Sequence, residues 1–186
     1  MSLLIWPIVA LVVTIVFLAL RYRGRDHSAY DTPQTATLMA DAEVSDAHAD
    51  VVEKLKRFNQ QPSTNVHVAR QNMEDLFYQE VDAQITDVDV NGIPSEWVLA
   101  EGADPDVRLL YLHGGAFRVG NPRTYRYMTA QLSKRCQAAV LVIDYRMQPE
   151  FKTIHCHEDA RTAYEWILNN GPEGCGEAKH IFVAGD

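Results

Sequence analysis

Val107-Arg108-Leu109-Leu110-Tyr111-Leu112-His113-Gly114-Gly115-Ala116-Phe117 is an apolar strand that stops in a His-Gly-Gly turn. Two consecutive glycines free the main chain to adopt unusual φ/ψ values and to approach a ligand with no Cβ in the way. Backbone N–H groups presented in this way at a strand end can point at developing negative charge, which is what acyl transfer asks of an oxyanion site. The last six residues, Ile181-Phe182-Val183-Ala184-Gly185-Asp186, again read as a buried strand entering a glycine turn.

Outward from these two strand ends, the period of the apolar residues defines the rest. Ile85-Thr86-Asp87-Val88-Asp89-Val90 alternates apolar and polar side chains as a half-buried strand does. Asn91-Gly92 signals a hairpin turn, and residues 93–99 make the return strand. After the strand over 107–112 come a helix from about Tyr125 to Cys136, a strand over 139–143, a helix from about His157 to Asn169 and a strand over 181–184. Helices alternating with short, fully apolar strands define an α/β fold, a mostly parallel sheet with helices on both faces. Ahead of the hairpin, Val44, Ala47, Val51, Leu55 and Phe58 recur at three- and four-residue steps, so an amphipathic helix is expected there, ended by Gln61-Pro62-Ser63. A second helix is expected over 67–78, with Val68, Met73, Leu76 and Phe77 apolar.

A length of 186 residues leaves room for one domain with a real core plus what the N-terminus adds. Residues 3–20 carry no charge, and 18 residues at ~1.5 Å each reach roughly the hydrocarbon thickness of a bilayer. No Lys or Arg precedes that run and no clear small-x-small site follows it, so a transmembrane anchor over 1–21 is favoured over a cleaved secretory signal. Arg21, Arg23 and Arg25 follow directly, which places the C-terminal part on the cytoplasmic side of a single-pass membrane protein. Residues 22–41, broken by Asp31-Thr32-Pro33, read as a juxtamembrane linker. The net charge is −8 and no Lys/Arg stripe with interleaved aromatics is present, which argues against nucleic acid as a partner. Cys136, Cys156 and Cys175 are odd in number, without the spacing of a zinc site or a redox pair, and read as reduced thiols.

Other site readings compete less well. Gly115 and Gly120 have the separation of a phosphate loop, but Asn121-Pro122 stands where Lys and Ser/Thr belong. Gly114-Gly115 does not space as a dinucleotide fingerprint. His155-Cys156-His157-Glu158-Asp159 has metal-ligating residue types, yet neighbours at a helix start diverge, and acids there suit the helix dipole. No metal and no cofactor is therefore expected. Tyr125, Tyr127, Tyr164 and Trp166 read as helix-to-sheet packing, with one of the first two open to an acyl pocket, and His67 as a surface residue.

From about Thr86 to Asp186 the chain resembles an α/β-hydrolase of the hormone-sensitive lipase type, the carboxylesterase group that includes arylacetamide deacetylases. His113-Gly114-Gly115-Ala116-Phe117 corresponds to that family's His-Gly-Gly-Gly-Phe, and Asp144-Tyr145-Arg146-Met147-Gln148-Pro149-Glu150 to its Asp-Tyr-Arg-Leu-Ala-Pro-Glu. Gly185-Asp186 matches the start of its Gly-Asp-Ser-Ala-Gly, and Glu158-Asp159 with Ala160, Tyr164 and Trp166 its following helix.

The resemblance implies a carboxylic ester hydrolase acting on a small-molecule ester through a Ser acyl-enzyme. The amides of Gly114 and Gly115 are the implied oxyanion donors, with His113 shaping their loop. Gly185 and Asp186 are the implied start of the nucleophile elbow, with the Ser expected directly after Asp186. It further implies a helical cap over 42–81 and a partial hydrolase domain over 82–186, truncated before the Ser. Ala116 replaces the third glycine, a change expected to be tolerated if the two preceding amides do the donating. Residues 151–154 lack the family's prolines. With no Ser, acid or His of a triad assignable, the chain by itself is expected to be inactive, and a non-catalytic membrane-tethered binding module or a decayed gene product is the alternative.

Overall fold

The computed structural model describes residues 5–22, 45–59 and 64–186. The chain divides into two units, Met1–Val44 and Ser45–Asp186. In the first, α1 (Ile5–Arg21) is a helix whose apolar side chains at 11–20 are exposed. Among the described residues no helix is long and apolar enough to cross a membrane. The span expected over 1–21 is thus not found as such: α1 has 17 residues, a rise of about 25 Å against roughly 30 Å of hydrocarbon. Leu3 and Leu4, which lengthen the apolar run, lie outside the described residues, as do nearly all of the linker and Gln61-Pro62-Ser63.

In the second unit α2 (Asp46–Asn59) and α3 (Val66–Phe77) precede the sheet. Asn65 caps α3, its side chain accepting from the His67 N–H. β1 (Gln84–Val90) and β2 (Ile93–Leu99) form the expected hairpin, with Asn91 at φ 53° and Gly92 at φ 90° supplying the two left-handed residues of a tight turn. β3 (Asp104–Leu112) begins three residues before the expected strand. α4 (Pro122–Cys136) starts on an Asn121 cap that accepts from the Thr124 N–H at 2.8 Å. β4 (Ala138–Ile143), α5 (Thr153–Ile167) and β5 (His180–Gly185) complete the order. α5 starts four residues before the expected His157, because the His155 ring accepts from the Lys152 N–H and caps a helix whose N-cap position is held by Lys152 in place of Ser, Thr, Asp or Asn.

The strands lie in the order β1-β2-β4-β3-β5. β1–β2 and β2–β4 pair antiparallel while β4–β3 and β3–β5 pair parallel, so the sheet is mixed and the mostly parallel expectation is corrected. The physical reason is the hairpin, which turns β2 to run against β4. Alternate side chains of the central strands feed two cores. Leu110, Leu141 and Ile143 meet Ala163 and Ile167 of α5, whereas Leu109, Val140 and Val142 meet Tyr125 and Ala130 of α4. Both faces are therefore covered by a helix, and the C-terminal ends of the parallel strands β3, β4 and β5 lie at one end of the sheet.

Candidate active site

β3 and β5 run side by side, with Leu112 opposite Gly185, so the His-Gly-Gly turn and Asp186 emerge together. A Cβ on Gly185 would stand 2.5 Å from the Leu112 carbonyl oxygen, and one on Gly114 2.5 Å from Asp186 Oδ2. Gly115 has φ +118°, and a Cβ there would meet the Val119 carbonyl oxygen at 2.0 Å. The turn thus needs its two glycines for close approach and for backbone conformation alike. Ala116 and Phe117 continue the turn at φ 55° and 58°.

Asp186 draws this end of the sheet together. Its Oδ1 accepts from the Gly114 N–H and the Tyr111 hydroxyl, each at 2.8 Å, and its Oδ2 from the Tyr125 hydroxyl at 3.1 Å. Burial, and then the Asp186 carboxylate, pushes both phenols up, Tyr125 to about 12, so they remain donors at any ordinary pH. Because the Gly114 N–H is given to a carboxylate, it is not free for an oxyanion, which departs from the expected Gly114–Gly115 pair. The amides of Gly115 and Ala116 make no hydrogen bond among the described residues.

His113 is buried, its ring stacked between Tyr145 at 4.3 Å and Tyr125 at 5.5 Å between centroids. Its carbonyl accepts from the Tyr145 hydroxyl. Nδ1 lies 2.8 Å from the Gly114 carbonyl oxygen, and a carbonyl only accepts, so Nδ1 carries the ring proton and Nε2 the lone pair. Burial lowers the imidazole's pKa, opposed by the Gly114 carbonyl, and favours the neutral ring. Its bonds shape the loop, and Nε2 is buried without a partner among the described residues.

A cavity of about 460 Å³ opens beside Asp186, lined by Leu112, Phe117, Tyr145, Cys156, Ala160 and Val183 among others. A second, of about 240 Å³, lies on the other side between α3 and α4, lined by Met73, Phe77, Tyr127 and Met128. Tyr125 is thus both packing and site, a role the sequence reading left open. Tyr127 and Tyr164 are exposed, which corrects their reading as packing residues, while Trp166 packs against Trp97. His67 is exposed, with Nε2 3.8 Å from Glu150.

The residues 155–159 diverge. Asp159 is buried and binds the Arg146 guanidinium and backbone N–H, Cys156 donates to the Thr153 carbonyl, and the His157 ring faces Phe117. Among the described residues no group of His, Cys, Asp or Glu is placed to hold a metal ion. All three cysteines are free thiols.

A sequence model of the alpha/beta hydrolase fold matches residues 109–186, the stretch from β3 through Asp186. Over this stretch the chain is similar to the esterase/lipase type of α/β hydrolases. Its relatives include esterases of the hormone-sensitive lipase type. An acetyl-hydrolase of Streptomyces hygroscopicus is 36% identical over 99 residues, 53% of this chain and 31% of the relative. The solved structure of an esterase from the bacterial hormone-sensitive lipase family superposes with a TM-score of 0.66 at 31% identity, over 74% of this chain and 46% of its own. That of a double mutant of the esterase E40 gives 0.69 at 31% identity, over 77% and 48%. The chain spans about a third of the first of these relatives and just under half of the two solved structures.

Proposed function

We propose that this sequence serves hydrolysis of a small carboxylic ester through a Ser acyl-enzyme, with water as the final acceptor. The observation that carries the reading is the junction of the two strand ends, where Asp186 ties the glycine turn after β3 to the end of β5. In this reading the nucleophile is a Ser in the position after Asp186, held on a sharp turn above the sheet. Its attack on the ester carbonyl turns that oxygen into an oxyanion, which the unbonded amides of Gly115 and Ala116 receive. Gly114 and His113 act behind them, Gly114 by fixing the turn to Asp186 and His113 by bonding the Gly114 carbonyl. Ser95 and Ser133 are no substitute nucleophiles, since both hydroxyls are buried and bonded to backbone carbonyls. Among the described residues no Ser is placed beside the glycine turn as a nucleophile, so in this reading we expect only background turnover from these 186 residues by themselves.

The test is the reading frame across the Asp186 codon together with an assay on p-nitrophenyl acetate and butyrate. Ser-x-Gly directly after Asp186, and activity lost when that Ser becomes Ala, support the reading. Any other residue at that position, or ester turnover by the 186 residues alone, sinks it.

We further propose that residues 1–21 anchor the chain in a membrane in a single pass, with the remainder on the cytoplasmic face. The uncharged run over 3–20 and the arginines at 21, 23 and 25 support this. Protease added to sealed inside-out vesicles should cut beyond residue 41. Protection there, or release of the chain by alkaline carbonate, overturns it.

A further inference from the structure

The loop that offers the Gly115 and Ala116 amides is held from outside the strand ends. Two of its residues, Ala116 and Phe117, sit at positive φ, a conformation that is unfavourable for an L-residue and does not persist without restraint. Part of that restraint lies within the loop and its neighbour. The Arg118 and Val119 N–H groups donate to the Gly115 carbonyl at 3.1 Å, and the Gln148 N–H donates to the Phe117 carbonyl at 2.8 Å.

Asp186 holds Gly114, the Tyr145 hydroxyl holds the His113 carbonyl, and α3 reaches the loop through Glu74, which accepts from Asn121 Nδ2, and above all through Arg70. Arg70 Nε donates to the Arg118 carbonyl at 2.8 Å and Nη2 to the Gln148 carbonyl at 2.9 Å. Nη1 and Nη2 grip the two oxygens of Glu150, each at 2.9 Å. A planar guanidinium has the fixed fork of donors to reach two loops and a carboxylate at once, and a lysine ammonium has not. The bidentate grip of Glu150 fixes the plane of the guanidinium, and with it the direction of the two bonds to carbonyls. Arg70 thereby fastens the turn after β3 to the turn after β4.

We propose that Arg70 is a positioning residue, which through the Arg118 and Gln148 carbonyls holds the loop in the conformation that presents the Gly115 and Ala116 amides. This rests on the oxyanion reading of that loop. It makes α3 a strut of the site as well as a wall of the smaller cavity.

Amide hydrogen exchange and ¹H–¹⁵N shifts of the full chain test it. In Arg70→Met, exchange at Arg118, Val119 and Gln148 should rise about tenfold, with less than about a twofold change at Leu141 and Val142 of β4. The Gly115 and Ala116 amide shifts should move with it. Arg70→Lys should recover part of both effects, and Glu150→Gln, which leaves the carbonyl bonds available, should give a smaller rise than Arg70→Met. If Arg70→Met does not fold, Arg70→Lys is read by the same criteria. Loop exchange within about twofold of the parent, unmoved Gly115 and Ala116 shifts, or an equal rise in β4 overturns the proposal. The readout involves no catalysis, so a flat result leaves the ester-hydrolase reading standing. Conversely, a residue other than Ser after Asp186 ends that reading without altering the exchange.

Discussion

β4 and β5 are both six-residue apolar strands, and their environments are opposite. All six residues of Ala138–Ile143 are buried, whereas none of His180–Gly185 is. β4 lies between β2 and β3, while among the described residues β5 pairs only with β3 and leaves Phe182 57% and Val183 54% exposed. An apolar run specifies that a segment can be covered, and its neighbours decide whether it is. The candidate site lies between these extremes, since the turn after β3 is fastened on the β4 side through Arg70 and on the β5 side through Asp186.

The largest effect is expected at the strand between them. Arg108 of β3 is opposite Ala139 on one side and Ile181 on the other, and its guanidinium is wholly buried. It donates to the carbonyls of Pro105, Ile167 and Gly176, tying the end of α5 and the approach to β5 to the sheet. Arg108→Met removes a charged donor from three carbonyls, each bond worth about 1.5–3 kcal/mol, so urea unfolding should show a loss of at least about 4 kcal/mol. A loss below about 1 kcal/mol would mean that water reaches those carbonyls and that the β5 side is looser still.

Next comes the direct comparison. Leu141→Ala in β4 should cost about 2–5 kcal/mol, and Val183→Ala in β5 no more than about 0.5 kcal/mol, by the same measurement. Equal costs would break the contrast and mean that β5 is covered in solution, which sedimentation at several concentrations would reveal as self-association.

What the sequence disclosed follows the same division. The hairpin was legible because Asn91-Gly92 marks its own turn, and β4 because six consecutive apolar residues have no other use. The His-Gly-Gly turn and the Gly185-Asp186 end were legible as local motifs. The partners of Asp186 were not, because Tyr125 is 61 residues away and Tyr111 is 75, and no local pattern records that they converge. The same distance hid that the Gly114 amide is already engaged. α5 began earlier than expected because Lys152 is not a capping residue type and His155 supplied the bond instead. The direction of β2 against β4 required the sheet order, which hydrophobic period alone does not carry.

A smaller effect sharpens the picture of the turn itself. Ala116 stands at φ 55°, where glycine has no Cβ penalty, so Ala116→Gly should stabilise the folded chain by up to about 1 kcal/mol, reduced by the greater freedom of glycine in the unfolded chain. A destabilising result would show that the Ala116 methyl packs against something in solution that outweighs the backbone cost.

The smallest effect is one of pH, and it reads the β4 side of the turn alone. Hydrogen bonding to Arg70 is the main cause holding the Glu150 carboxyl at about 2, below its usual 4.5. A folded-state pKa below the unfolded value means that the unfolded chain binds the proton more readily, so this pair contributes its stability above pH 4.5 and loses it as pH falls toward 2. His113 shares the sign, since burial lowers its pKa from 6.5, but its contribution starts to fall away near pH 6.5, above the Glu150 window. Urea midpoints measured from pH 7 down to the acid limit should therefore decline in two stages. Glu150→Gln should flatten only the lower stage, and by a small amount, because the pair is partly exposed to solvent. If the lower stage is unchanged in that variant, the acid sensitivity belongs to other carboxylates, and the β4 side of the turn is held by the two carbonyl bonds of Arg70 without help from the ion pair.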